Sequence, residues 1–320
     1  MLLDTMWLQV STVKLKLPLL KHTRAKIRWY LTVWANAAHP GVANLQSKMV
    51  LQQEVWRHLP FSAGLADEAL AASEGLVAGL ASTLRPAVRW YTVPSLALVL
   101  GAGQRPDEVD GAALAAAGVT LHKRASGGTA VLFGPGLLMQ DIALPLEHPL
   151  YRLDVSESYA WLGATWAAAL GELGLTAELV AVPTARADTA ATDVRVRRAC
   201  FGGRSPYEVL VGGRKLVGFA QLRRRAGVLF QVGLYTHWLG AELVALLPLT
   251  AEERAATITA LAQRVVGLAE LLPTPPDPAV LLGAFARALA HRYGVTLESV
   301  PWHPDELTVM QAALSRYAPL

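Results

Sequence analysis

At 320 residues, 53% hydrophobic and 17% charged, the chain has enough apolar side chains to bury a sizeable core, which excludes global disorder. Its single cysteine excludes an intramolecular disulfide and a thiolate-rich zinc site, so a reducing, cytoplasmic home is expected. A formal net charge of +4 suits acidic partners; no zinc-finger spacing or aromatic interleaving accompanies the basic residues, so no nucleic-acid partner is expected.

The first 48 residues read as an extension outside the fold, with Met49 as the natural initiator. The run "KLKLPLLKHTRAKIRWYLTVWANAAHPGVANLQ" is basic and then apolar, but Asn36, His39, Pro40, Asn44 and Gln46 interrupt the ~20 apolar residues that a spanning helix needs. Its order is not that of a signal peptide, so no membrane association is expected.

From residue 49 the pattern becomes that of a domain. The spacing of Leu65, Ala69, Leu70, Leu76 and Leu80 predicts an amphipathic helix from Ser62 to about Leu84, with Asp67 and Glu68 at its dipole-favoured start. Strands "AVRWYTV" and "SLALVLGAG" follow, then a short helix around "DEVDGAALAAAG". "VTLHKRASGGTAVLFGPGLLMQDIALPL" alternates strands with Gly-rich turns, and "SESYAWLGATWAAALGELG" is helical. Residues 183–198, "PTARADTAATDVRVRR", are small, polar and aperiodic and read as a mobile loop. "YEVLVGGRKLVGFAQLRRRAGVLFQVGLYT" predicts three strands, with Gly212-Gly213 as the first hairpin turn and Lys215 at the start of the second strand. Beyond about residue 246 two helices flank "PTPPDP". The expected organisation is an extension (1–48), a domain (49–245) and a small helical C-terminal segment (246–320). The fold class is α+β, a mainly antiparallel or mixed sheet flanked by helices.

Several chemistries are absent as motifs: no phosphate-binding P-loop, no G-x-G-x-x-G after a strand, no G-x-S-x-G elbow and no H-E-x-x-H. Cys200 is either a small buried hydrophobe or, between Arg198 and Arg204 and followed by two glycines, a thiol poised as thiolate. Lys215 alone reads as an ordinary hairpin lysine. Ser126, Gly127 and Gly128 form either a simple turn or bare backbone that a ligand approaches.

Taken together, "KRASGGTAVLF", the landmarks Trp90, Pro94, Gly101 and Gln104, and "SPYEVLVGGRKLVGFAQLRRR" resemble the lipoate-protein ligase and octanoyltransferase family, relatives of biotin ligase, from about Trp56 to His237. The resemblance implies a biotin/lipoate ligase-like catalytic domain in which Cys200 carries an octanoyl or lipoyl group as a thioester and Lys215 contacts the acyl carbonyl. It implies substrate binding by Arg124, Ser126, Gly127, Gly128, Tyr207 and Gly218, and no metal. The implied donors are octanoyl-acyl carrier protein or octanoylated glycine cleavage H protein; the acceptor is a lysine on a lipoyl domain of a 2-oxoacid dehydrogenase or on H protein. No cofactor is required on this reading. The alternatives are an ATP- and Mg-dependent lipoate-protein ligase working through lipoyl-adenylate, and a non-catalytic lipoyl-domain binder. Phe133 and Val232 stand where some relatives have histidine; the first of these changes resembles the branch that moves octanoyl between lipoyl-carrying proteins.

Overall fold

The computed structural model describes residues 5–10, 13–18, 54–199 and 201–320. Near the N-terminus, strands β1 (Thr5–Val10) and β2 (Val13–Pro18) pair antiparallel within a unit spanning residues 1–51; the rest of the expected extension, with Met49, lies outside the described residues.

Residues 52–320 form the second compact unit. It opens with β3 (Glu54–His58), β4 (Ser62–Ala63), α1 (Ala66–Ala78), α2 (Leu80–Thr83), β5 (Ala87–Thr92) and β6 (Ala97–Leu100). Next come α3 (Gly111–Ala117), β7 (Thr120–Lys123), β8 (Val131–Phe133), β9 (Leu137–Pro145), α4 (Ala160–Glu172) and β10 (Ala177–Leu179). Helices α5 (Val182–Ala191) and α6 (Val194–Arg198) lead to β11 (Val209–Val211), β12 (Arg214–Arg223) and β13 (Gly227–Tyr235). The chain closes with α7 (Gly240–Ala245), α8 (Ala251–Ala262), α9 (Pro278–Tyr293), β14 (Val295–Ser299) and α10 (Pro304–Tyr317).

The main sheet runs β10-β11-β12-β13-β9-β5-β3-β14, with β4 beside β5; it is antiparallel from β10 to β5 and parallel across β5, β3 and β14. A smaller sheet, β7-β6-β8, stands apart. The class is the mixed α+β arrangement expected. Strands β9 and β13 are buried almost throughout, because both sheet faces are covered, so they read as continuous apolar runs.

Period-two alternation assigns the faces. Val88, Trp90, Leu138, Ile142, Phe230 and Val232 pack with Leu162 and Trp166 of α4 and Phe285 and Leu289 of α9. Trp90 meets Trp166 and Phe285 edge-on, with ring centroids 5.6 and 5.7 Å apart. Each such side chain contributes about 1.5–3 kcal/mol on full burial. Arg89, Tyr91, Met139, Asp141, Gln231 and Gly233 alternate with these residues and so face the other way, toward α1 and the smaller sheet.

The expected helical C-terminal region is present and is stitched into this unit. Asp277 caps α9 by accepting from the Ala279 amide, and Gly294 ends it at φ 69°. Strand β14 then pairs with β3, and α10 lies on α1. Small residues permit that approach: a Cβ on Gly79 would sit 2.2 Å from Glu306 Cγ, and one on Gly75 2.5 Å from Met310 Cγ. The Glu306 carboxylate forms a buried two-pronged pair with Arg57, both contacts 2.7 Å.

The expectation of a mobile loop at 183–198 is corrected: these residues form most of α5 and α6. Only Ala185 and Val196 of the two helices are buried, so no apolar period marks them in sequence. Charged contacts hold them instead. Both Asp188 carboxylate oxygens accept from Arg264 Nη2, at 2.5 and 2.7 Å, Arg195 reaches Glu253 at 3.0 Å, and Asp193 caps α6. Hydrogen bonds from Arg195 hold the Asp193 carboxyl down at about 2.

Candidate active site

The site grows from the β11–β12 hairpin. Gly212 and Gly213, at φ 56° and 72°, supply the left-handed backbone of a two-residue turn, and the second strand then carries Lys215 inward. Lys215 is 3% exposed, unlike an ordinary hairpin lysine. Its ammonium donates to the Gly203 carbonyl, pairs with Glu208 Oε2 at 2.7 Å, and lies 5.4 Å from the centre of the Phe201 ring. Glu208 in turn accepts from the amides of Ser205 at 2.6 Å and Phe219 at 3.4 Å. Glu208 is not among the expected site residues, although it follows Tyr207 directly in the stretch "SPYEVLVGG" that carries the resemblance. Its role shows only once the loop folds back over β12.

Cys200 lies outside the described residues. Its two neighbours are firmly placed. Ala199 is buried and forms a parallel bridge to Ala130. Phe201 has φ 72°, a conformation that costs a bulky residue roughly 1–3 kcal/mol. Ring burial offsets that cost: Phe201 packs edge-on against Tyr235 at 4.9 Å, with Trp238 at 6.2 Å. Beneath it sit Gly218 and Gly233, a cross-strand pair; a Cβ on Gly218 would come within 3.0 Å of the ring. Arg264 Nε donates to the Gly202 carbonyl at 2.6 Å, and the Lys215 amide donates to the Arg264 carbonyl at 2.6 Å. One arginine therefore ties the loop after Cys200 to the strand bearing Lys215.

Opposite stands the Ser126-Gly127-Gly128 turn. Arg124 holds it from within, donating to Ser126 Oγ (3.1 Å) and to the carbonyls of Val99 (3.0 Å), Gly127 (2.7 Å) and Thr129 (3.0 Å). Ser126 points away from solvent and donates to Gln231 Oε1 at 2.5 Å. Gln231 continues to Asp141 and Ser73, and Asp141 is paired with Arg89 at 2.7 Å. Arg89, Asp141 and Gln231 are register partners on three adjacent strands, so a buried polar row crosses the sheet from α1 to the turn. Tyr91 lies beside this row; burial, then the Asp141 charge, pushes its phenol well up.

Between hairpin and turn lies a cleft of about 280 Å³. Apolar Val131, Phe133, Met139, Phe201 and Phe219 line it, with Gly218 and Gly233; the polar wall includes Arg124, Gly128, Lys215 and Gln231. Of the expected site residues, the structure brings Arg124, Gly128, Lys215 and Gly218 together there. Ser126 stands behind the wall and Gly127 is exposed beside it. Tyr207 is not a wall residue: its hydroxyl donates to Glu157 at 2.7 Å, which raises the phenol's pKa. Phe133 lines the cleft, whereas Val232 belongs to the core on the opposite sheet face. Among the described residues, no group of three or more His, Cys, Asp or Glu is placed to hold a metal, and no helix is long and apolar enough to cross a membrane.

This mixed sheet and cleft define the lipoate ligase-like fold. The structure superposes on the bi-partite lipoate protein ligase of Thermoplasma acidophilum with a TM-score of 0.67 at 17% identity, covering 82% of this chain and 93% of that one. A lipoate-protein ligase A bound with ATP gives 0.65 at 18% identity, covering 82% and 95%. In sequence, residues 66–290 match the lipoyl protein ligase A/B catalytic domain, and the chain belongs to that family. The octanoyltransferase LipM of Moorella thermoacetica is 32% identical over 219 residues, 68% of this chain and 77% of the relative. That of Kyrpidia tusciae is 29% identical over 82% of this chain and 96% of its own.

Proposed function

We propose that this enzyme is an acyltransferase of protein lipoylation, moving an octanoyl group from a carrier thioester through Cys200 to a lysine of a lipoyl domain. The observation that carries the reading is the buried, Glu208-held Lys215 at the wall of an apolar cleft, on the strand tied to the cysteine loop. The relatives named as octanoyltransferases support it.

The Cys200 thiolate attacks the donor carbonyl, and the tetrahedral intermediate expels the carrier thiolate, which takes up a proton. The lysine amine of the acceptor then attacks the acyl-cysteine, gives up a proton and releases the Cys200 thiolate. In both steps the developing oxyanion meets Lys215. Two of its three ammonium hydrogens go to Gly203 and Glu208, which leaves one for a carbonyl oxygen. The pair with Glu208 holds the ammonium in place before reaction. A thioester is already activated, so the reaction draws on no ATP, and the cytoplasm's reducing conditions keep the thiol free.

The cleft's apolar lining suits the acyl chain. Four methylenes separate an octanoyl from a butanoyl donor, worth about 3 kcal/mol at ~0.8 kcal/mol each, or roughly 10²-fold in kcat/KM. Steady-state transfer to an isolated lipoyl domain, without ATP, is expected to show that preference. A strict requirement for ATP would overturn the transferase reading in favour of the ligase.

A further inference from the structure

Among the described residues four cationic side chains line the cleft, and their hydrogen bonds separate them into two kinds. Arg124 is committed to four acceptors within the turn it supports. Lys215 is neutralised by Glu208. Arg197 and Arg204 differ. Arg197 gives Nε to the Thr192 carbonyl at 3.1 Å, and its terminal Nη1 and Nη2 meet no described acceptor. Arg204 gives Nη2 to the Gly213 carbonyl at 2.7 Å, while its Nε is buried with no partner. Both line the same cleft, and the Arg197 stem runs beside the residue before Arg204: a Cβ on Gly203 would stand 4.0 Å from Arg197 Cγ.

A buried, unpaired guanidinium donor is costly unless a ligand completes it. Two guanidinium groups lining one cleft with donors to spare match the oxygens of a phosphate, which takes paired N–H groups in a planar fork. A carboxylate of either arginine's own surroundings does not fill that role: Asp188 pairs with Arg264, and its contact to Arg204 is to the backbone amide.

We propose that Arg197 and Arg204 form a phosphate-ester subsite on the cleft wall, which holds the phosphate of the acyl donor while the apolar lining holds its acyl chain. The inference rests on the transferase reading of the same cleft. The phosphate has two chemical sources, the phosphopantetheine arm of a carrier thioester or a nucleotide.

The test is calorimetric binding of coenzyme A, ATP and pantetheine, which lacks phosphate, to the full chain and to Arg197→Gln, Arg204→Gln and the double variant. Arg198, exposed and outside the cleft, gives the control Arg198→Gln. The expected result is a loss of about 10- to 100-fold in affinity for coenzyme A in the double variant, with little change in Arg198→Gln. The ratio of KM for octanoyl-coenzyme A to that for octanoyl-pantetheine is expected to rise by the same factor. If ATP rather than coenzyme A shows that loss, the subsite stands and its phosphate comes from a nucleotide. Equal affinity in the double variant, or an equal loss for pantetheine, overturns the proposal. Arg197→Lys and Arg204→Lys keep the charge without the fork and are expected to fall between, which separates recognition from misfolding. Because binding is read without turnover, failure of Cys200 to carry an acyl group leaves this result legible.

Discussion

Replacing Lys215 with methionine is expected to reduce octanoyl transfer by about 10²- to 10³-fold in kcat, the usual cost of removing one donor to a developing oxyanion. The same change leaves Glu208 buried at 4% exposure without its cation, so the variant is also expected to lose about 3–5 kcal/mol of stability. The two effects come apart in the double variant Lys215→Met with Glu208→Gln. A neutral amide still serves the loop but no longer strands a buried charge, so stability is expected to return in large part while kcat stays low. Single-turnover rates and thermal denaturation of the four proteins give the comparison. Full recovery of rate in the double variant would assign Lys215 a structural role only.

The second large effect is expected at Asp141, which is fully buried and has its partners Arg89, Ser73 and Gln231 all within hydrogen-bonding reach. Asp141→Ala leaves the Arg89 guanidinium buried and uncompensated, costing about 3–5 kcal/mol. For a unit of this size that lowers Tm by roughly 6–20 °C. Because Gln231 also receives the Ser126 hydroxyl, the substitution is expected to loosen the Ser126-Gly127-Gly128 turn as well. Calorimetry measures the first effect, and hydrogen exchange of the turn amides measures the second. A Tm within a degree of wild type would show that the polar row does not hold the sheet to α1.

These two sites show where sequence reasoning reaches and where it stops. Gly212-Gly213 between apolar runs announces the hairpin, and Asp277-Pro278 with Gly294 announces α9, because turn and cap chemistry is local. Helices α5 and α6 leave no apolar stripe, since Asp188, Arg195 and Asp193 hold them through charges on distant partners. The family resemblance points to Cys200 and Lys215, and of these Lys215 is found at the cleft. The burial of Lys215 is not, because it depends on Glu208 seven positions back and on a loop closed by Arg264. Likewise Arg89, Asp141 and Gln231 meet only because three strands align in register. Tyr207 stands next to Glu208 in sequence yet turns its hydroxyl to Glu157, a partner fifty residues upstream.

The central claim is that Cys200 carries the acyl group. Intact mass spectrometry of wild type and Cys200→Ala, after incubation with an octanoyl-carrier thioester and separately with ATP plus octanoate or lipoate, tests it most directly. The account predicts an octanoyl adduct on the wild type alone, formed without ATP. Absence of an adduct, together with ATP-driven modification of a lipoyl domain by both proteins, would contradict it and establish a ligase.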